Sequence, residues 1–285
     1  MTLAYWNGQY MPLEAVKVSP LDRGFVFGDG VYEVVAFYGT DAFELDAHLA
    51  RLARSLAEIR IALDPVACGF AEVCRRLRAE CGATDATVYL QVTRGAPDTR
   101  GHAFPAGAAP SVFGFATPLA RLQPHALEAG FSAVTAPDIR WQRCDIKAIS
   151  LLPAVLSAQA AKERNALETI LHRDGLVTEC SSSNVLIVKD GRIATPVADH
   201  RILDGIDRQV VIRLARQHGI PVQERNVLLE ELRTADEIWI TSTTKEVAPV
   251  VTLDGAAVGL GKPGPVWREI RAAFDALTGH PAGRT

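Results

Sequence analysis

Lys147 lies in Cys144-Asp-Ile-Lys-Ala-Ile-Ser-Leu-Leu152, a stretch whose apolar neighbours favour withdrawal from water. Burial penalises an ammonium and lowers its pKa, so a lysine amine placed there becomes a nucleophile able to condense with a carbonyl near neutral pH. Lysine is uncommon in this chain, with six against 24 arginines. The same stretch also suits a strand-end lysine whose amine reaches solvent. Glu179, in Val177-Thr-Glu-Cys-Ser-Ser-Ser-Asn184, precedes a polar loop as a carboxylate does when it pairs with a buried cationic ring nitrogen. An ordinary solvated glutamate beside a serine turn fits equally well. Leu203-Asp-Gly-Ile-Asp-Arg208 is a turn that opens a helix, so backbone N–H groups near Gly205 and Ile206 suit a phosphate at the positive end of the helix dipole. Capping of that helix by Asp207 is the simpler reading. Thr241-Ser-Thr-Thr244 offers hydroxyls and N–H groups to the same kind of anion.

These residues need elements to hold them. Leucines 45, 49, 52 and 56 recur at helical spacing, with His48, Arg51 and Ser55 on a neighbouring stripe, and predict an amphipathic helix from Asp46 to Ile59. Before it, Phe27-Gly-Asp-Gly30 reads as a turn leading into a strand, Val31 to Tyr38. After it come a helix around Gly69 to Ala79 and a strand from Thr87 to Thr93. Residues 103 to 110 read as a loop, and 118 to 123 as a connector. Beyond the connector, Asp174-Gly175 and Asp190-Gly191 each sit between strand-like runs and predict two hairpins. Helices at Pro153 to Asn165 and Arg208 to His218 and a strand at Glu237 to Thr241 complete a mixed domain that is not doubly wound.

Composition narrows the function classes. The 285 residues, 48% hydrophobic and 22% charged, suffice for a sizeable core, with a loose tail expected from His280 to Thr285. A net charge of −3 with dispersed arginines argues against a nucleic-acid partner. No signal-peptide pattern or long apolar run is evident, so no membrane partner and a cytoplasmic location are expected. Five cysteines without a CxxC pair, and no HExxH, indicate neither a disulfide framework nor a metal site.

In order and spacing, several segments together resemble one family: Arg23 to Val35, Tyr89 to Gly95, Arg100-Gly-His-Ala-Phe-Pro105, Arg140-Trp-Gln-Arg-Cys-Asp-Ile-Lys147, the Glu179 segment and Ser242-Thr-Thr244. From about Trp6 to Phe274 the chain is similar to the class IV, or fold-type IV, pyridoxal-phosphate enzymes. These include D-amino-acid transaminases, branched-chain aminotransferases and aminodeoxychorismate lyases. Within that group it looks most like the D-amino-acid (D-alanine) transaminases.

The resemblance implies an α+β, two-domain architecture. A small α/β domain over 1–118 would precede a larger cofactor-binding domain over 124–285, a pseudo-barrel of mostly antiparallel strands, with the site at the domain and subunit interface. It implies pyridoxal 5'-phosphate as cofactor, Lys147 as the Schiff-base lysine and proton shuttle, and Glu179 facing the pyridine nitrogen. Arg51, Ile206, Asp207 through its backbone N–H, and Thr243 would lie at the phosphate, and Leu203 would pack on the ring. Tyr32, Arg100 and His102 would trap the substrate α-carboxylate, with Arg100 and His102 reaching across a homodimer. From their sequence alone, Arg100 and His102 equally suit a solvated loop. The implied reaction moves an amino group from a D-amino acid such as D-alanine to a 2-oxo acid such as 2-oxoglutarate. A branched-chain L-amino-acid aminotransferase, an aminodeoxychorismate-type lyase and a cofactor carrier without turnover are the alternatives. Two positions depart from the family pattern: Asp207 stands where threonine is usual, and Cys180 where a glycine or alanine is expected.

Overall fold

The computed structural model describes residues 2 to 279, and the tail from His280 to Thr285 lies outside them. Two compact units divide the chain. One runs up to Ala120 and includes Ile146–Leu151; the other takes Arg121–Asp145 and continues from Leu152. The expected division between 118 and 124 made no provision for this later segment. It joins the first unit through a bridge between Val31 and Ala148 and through hydrogen bonds from Tyr32 N to Lys147 O (3.0 Å) and from Ile149 N to Gly30 O (3.1 Å).

The first unit is an antiparallel sheet backed by helices. Its strands are β1 (Leu3–Trp6), β2 (Gln9–Pro12), β3 (Gly30–Tyr38), β4 (Asp41–Ala42), β5 (Ala86–Thr93) and β6 (Ser111–Pro118), in the spatial order β2-β1-β6-β5-β3-β4. Helices α1 (Arg23–Phe27), α2 (Leu45–Glu58) and α3 (Phe70–Glu80) complete it. Leu45, Leu49, Leu52 and Leu56 of α2 are buried in the core beside Val31, Val35 and Phe37 of β3, as the spacing predicts. His48, Arg51 and Ser55 are buried too, because β3 sends Glu33 inward to meet them. The region read as a turn before β3 starts with α1, whose N-cap Asp22 accepts from Gly24 N at 2.8 Å and which ends at Gly28 in the left-handed conformation (φ 68°).

The second unit holds a long mixed sheet that curls into a half-barrel. Helix α4 (Pro124–Ala129) leads into β7 (Phe131–Pro137), and α5 (Leu152–Glu163) into β8 (Glu168–Arg173), β9 (Leu176–Cys180), β10 (Asn184–Lys189) and β11 (Arg192–Thr195). Then follow α6 (Ile206–Gln217), β12 (Val222–Glu224), β13 (Val227–Leu228), α7 (Leu229–Arg233), β14 (Glu237–Ser242), β15 (Glu246–Leu253), β16 (Ala256–Ala257) and α8 (Pro265–Thr278). Both expected hairpins, β8–β9 and β10–β11, form with Asp174-Gly175 and Asp190-Gly191 at positive φ, the geometry that Asp-Gly turns favour. Pairing is parallel where β7 sits between β15 and β8 and where β11 meets β12, and antiparallel elsewhere. Among the described residues no helix is long and apolar enough to cross a membrane, and no group of three or more His, Cys, Asp or Glu is placed to hold a metal ion.

Candidate active site

Within the first unit, Lys147 lies in an irregular segment held at its backbone. Its carbonyl accepts from Tyr32 N, and its own N–H reaches Ser55 Oγ at 3.4 Å. Close approach of the segment to β3 depends on Gly30, where an added Cβ would meet Val92 O at 2.6 Å and the Ile149 side chain at 3.0 Å. The Lys147 amine stands 4.4 Å from the centroid of the Tyr32 ring, and the residue is half-buried, short of the full withdrawal its apolar neighbours suggest. The structure therefore brings two of the expected residues, Lys147 and Tyr32, into direct contact.

Arg51, on α2 of the same unit, is buried. Its Nε donates to Glu33 Oε1 at 2.7 Å and its Nη2 to Oε2 at 2.8 Å, while His48 Nδ1 lies 2.8 Å from the same Oε2. A carboxylate can only accept, so His48 carries its proton on Nδ1. Burial would push the Glu33 carboxyl up, but the Arg51 guanidinium and the His48 hydrogen bond hold it far below the usual carboxylate range. Burial pulls His48 below its ordinary value despite the carboxylate beside it. The guanidinium of Arg51 is thus fixed in plane before any ligand arrives. Neither Glu33 nor His48 stands out in sequence, although the strand alternation of β3 turns Glu33 to the face of the core valines Val31 and Val35.

Arg100 and His102 lie on the exposed loop that joins β5 to β6. The Phe27 ring lies against both, with the Arg100 guanidinium carbon 4.6 Å and the His102 ring 5.2 Å from its centroid.

In the second unit, Glu179 is the next-to-last residue of β9 and is buried. Arg140 donates one Nη to it and grips Asp138 with Nε and the other Nη at 2.9 and 2.8 Å. Asn184 Nδ2 (3.0 Å) and Leu203 N (3.1 Å) donate to Glu179 Oε2, and the same Asn184 amide donates to Leu203 O at 2.8 Å. Burial disfavours charge on Arg140, yet Asp138 and Glu179 outweigh it and hold its pKa above the ordinary value; Asp138 is likewise kept below the carboxylate range by Arg140 against its own desolvation. Glu179 is thus a buried acceptor held by a guanidinium, an amide and a backbone N–H. Leu203, half-buried, has its backbone tied to Glu179 and Asn184. Arg140, Asp138 and Asn184 have no role assigned from sequence; Arg140 and Asn184 lie in the stretches that carry the family resemblance, and Asp138 two residues before the first of them.

Ile206 opens α6. The N-cap is Gly205, and no side chain makes a capping hydrogen bond, so Asp207 does not cap this helix as its sequence position suggested. Asp207 instead sits one residue inside the first turn, buried. An added Cβ at Gly205 would meet Asn184 Oδ1 at 1.9 Å, so the turn packs directly on the residue that holds Glu179. Thr243 is half-buried in the tight connection from β14 to β15. Nearby, Glu168 accepts from Ser181 (a short contact), Ser182, Ser183 and Lys245, tying the serine turn after Glu179 to the turn that follows Thr243.

The donor set fits a phosphorylated, ring-nitrogen cofactor. A buried carboxylate is fixed in place by Arg140, Asn184 and Leu203 N, a 12-residue helix presents its first turn without a side-chain cap, and the buried Thr241 hydroxyl, paired across the sheet with Asn184, meets no partner among the described residues. Pyridoxal 5'-phosphate would use an amine, an acidic partner for its ring nitrogen and N–H donors for its phosphate, all of which are present.

Comparison with known proteins agrees. The amino-transferase class IV family pattern matches residues 30–253. The chain is 42% identical over 271 residues to a D-alanine aminotransferase of Listeria monocytogenes, covering 94% of this chain and 93% of that one. It is 43% identical over 270 residues to a D-alanine aminotransferase of Bacillus licheniformis, covering 94% of each. Among solved structures, the branched-chain amino acid aminotransferase of Escherichia coli superposes with a TM-score of 0.88 at 28% identity, covering 99% of this chain and 96% of that one.

Proposed function

The chain belongs to the class IV aminotransferase family, and from that premise we propose that it transfers amino groups from D-amino acids, D-alanine among them, to 2-oxo acids such as 2-oxoglutarate. The observation that carries this reading is identity above 40% to D-alanine aminotransferases across 94% of the chain. The family uses pyridoxal 5'-phosphate, which when bound supplies an electron sink for the bond-breaking step.

Lys147 carries the cofactor and moves the proton at the substrate Cα. Its backbone is pinned to β3 and Ser55, so the amine moves while its origin stays fixed. Glu179 presents its carboxylate to the ring nitrogen, and Arg140 holds that carboxylate in place. Arg51, the backbone of Ile206 and Asp207, and Thr243 hold the phosphate, with Leu203 against the ring. Since the N–H and not the side chain of residue 207 serves the anion, the buried Asp207 carboxylate is compatible with this role. Tyr32, with Arg100 and His102, receives the substrate α-carboxylate and so selects which hydrogen of Cα is removed. Arg100 and His102 serve the site of a second copy in a homodimer. Leu152, Val155 and Leu156 of α5 are exposed apolar residues that such a partner would cover.

The structural likeness to a branched-chain enzyme favours L-leucine-type substrates as a second reading. Half-reaction spectra of the holoenzyme separate the two. D-Alanine is expected to convert the cofactor absorbance to that of its amine form; conversion by L-leucine with none by D-alanine refutes D-selectivity.

A further inference from the structure

The geometry points to Arg23 and Phe27, one helical turn apart on α1, as positioning residues that set the Arg100–His102 loop for binding the substrate carboxylate. This inference rests on the proposed role of Arg100 and His102.

The loop between Thr93 and Ser111 has no regular structure of its own, and Arg100, Gly101, His102 and Ala103 are all exposed. A long loop of this kind samples many conformations unless something fastens it, and a carboxylate fork works only when its donors are held close to the productive geometry. Arg23 supplies the fastening. It is a buried arginine (4% exposed) whose guanidinium donates to three successive loop carbonyls: Gly101 O in a short contact, His102 O at 3.0 Å and Ala103 O at 3.3 Å. These carbonyls belong to His102 of the candidate trap and to the residues on either side of it, the first of which follows Arg100 directly.

The anchor is itself neutralised and fixed. Arg23 Nε donates to Asp29 Oδ2 at 2.7 Å, and Arg94 donates to both oxygens of Asp29 at 2.8 and 3.0 Å. Burial works to raise the Asp29 carboxyl, but hydrogen bonds from Arg94 and Arg23 hold it below its ordinary value, so the pairing persists at neutral pH. Phe27 follows Arg23 by four residues and therefore lies on the same side of α1, where the Arg23 guanidinium carbon is 4.8 Å from its ring centroid. The ring meets the side chains of Arg100 and His102. Arg23 thus fixes the backbone and Phe27 the side chains, a cation–π contact orienting the Arg100 plane. A second fastening lies just downstream, where the Phe104 ring receives Arg94 at 3.6 Å and Arg60 at 4.8 Å.

The test compares single-turnover kinetics of the holoenzyme with D-alanine and with ethylamine, which has no carboxylate. In Arg23→Lys and Phe27→Leu, the D-alanine concentration for half-maximal rate is expected to rise about tenfold while the maximal rate falls less than about threefold, and the ethylamine rate stays at the wild-type value. Asp29→Asn, which keeps the volume of the anchor, is expected to shift in the same sense and supplies the measurement should Arg23→Lys fail to fold. Parallel loss with both amines, or half-saturation within twofold of wild type in every variant, overturns the proposal. Arg100→Gln identifies which idea has failed. If it loses carboxylate selectivity while the α1 variants keep theirs, the positioning role alone is wrong. If it too keeps selectivity, the carboxylate-trap reading is wrong and takes the positioning role with it.

Discussion

Replacing Glu33 by glutamine removes one negative charge from a place where water cannot compensate for it. Glu33 is fully buried and Arg51 is 8% exposed, and together with His48 they make hydrogen bonds of 2.7 to 2.8 Å. Glutamine fits the space, but it presents one acceptor and one donor group. At least one of the three donors that met the carboxylate then faces an N–H, and the guanidinium charge stays buried without its counter-ion. Breaking a buried pair from one side costs about 3–5 kcal/mol, and the retained volume and remaining acceptor place this case near about 3 kcal/mol. At roughly 2–4 °C per kcal/mol for a chain of this size class, the melting temperature falls by roughly 6–12 °C. Urea denaturation followed by circular dichroism measures the difference directly. Its pH dependence has a definite sign. The folded-state pKa of Glu33 is depressed, so its stabilisation is complete above its unfolded value of 4.5 and is lost progressively as pH falls from there through the far lower folded value. The gap between wild type and Glu33→Gln should therefore be constant above about pH 6.5, where His48 is neutral in both, and narrow as pH falls below 4.5. A gap under about 1 kcal/mol at pH 7 refutes the claim that this pair fixes Arg51.

Glu179→Gln is expected to keep the fold, since Arg140 retains both bonds to Asp138, while single-turnover transamination slows by about 100-fold or more; a rate within threefold of wild type removes Glu179 from the chemistry. Gly205→Ala drives a methyl group into Asn184 Oδ1, at a cost of roughly 1–3 kcal/mol from overpacking, and weakens cofactor binding as the start of α6 shifts. Denaturation and cofactor titration of that variant both unchanged would mean the turn does not rest on Asn184. His48 has a folded pKa below its ordinary value, so its contribution to stability is complete above pH 6.5 and erodes as pH falls. Wild type should thus lose more stability than His48→Gln between pH 7.5 and 5.5, and equal losses would show that His48 titrates alike in both states.

Local chemistry made much of this protein readable from its residues. Leucines at 45, 49, 52 and 56 specify α2 because a helix brings residues three and four apart onto one face, whatever lies opposite. Asp174-Gly175 and Asp190-Gly191 specify their hairpins because both residues accept positive φ. Helix α8 carries comparable signals, with Pro265 at its first turn, Gly279 at its end and buried Trp267, Ile270, Arg271 and Phe274 at helical spacing. Helix α1, at five residues, is too short for periodicity to register, and only its Asp22 and Gly28 caps mark it in the sequence.

What sequence determined by itself was the set of reactive types and their order: an amine at 147, a carboxylate at 179, a helix start at 206 and an arginine–histidine pair at 100 and 102. Tertiary structure alone decided their partners. Arg140 reaches Glu179 across 39 residues, Glu33 meets Arg51 across 18, and Arg23 holds carbonyls 78 to 80 residues away. It also decided that Ile146–Leu151 joins the first unit while its flanks belong to the second. Spacing along a chain fixes only which side chains share a face of one element; which face meets which is settled by sheet register and by the burial that every charged group must have compensated, and both are properties of the whole fold.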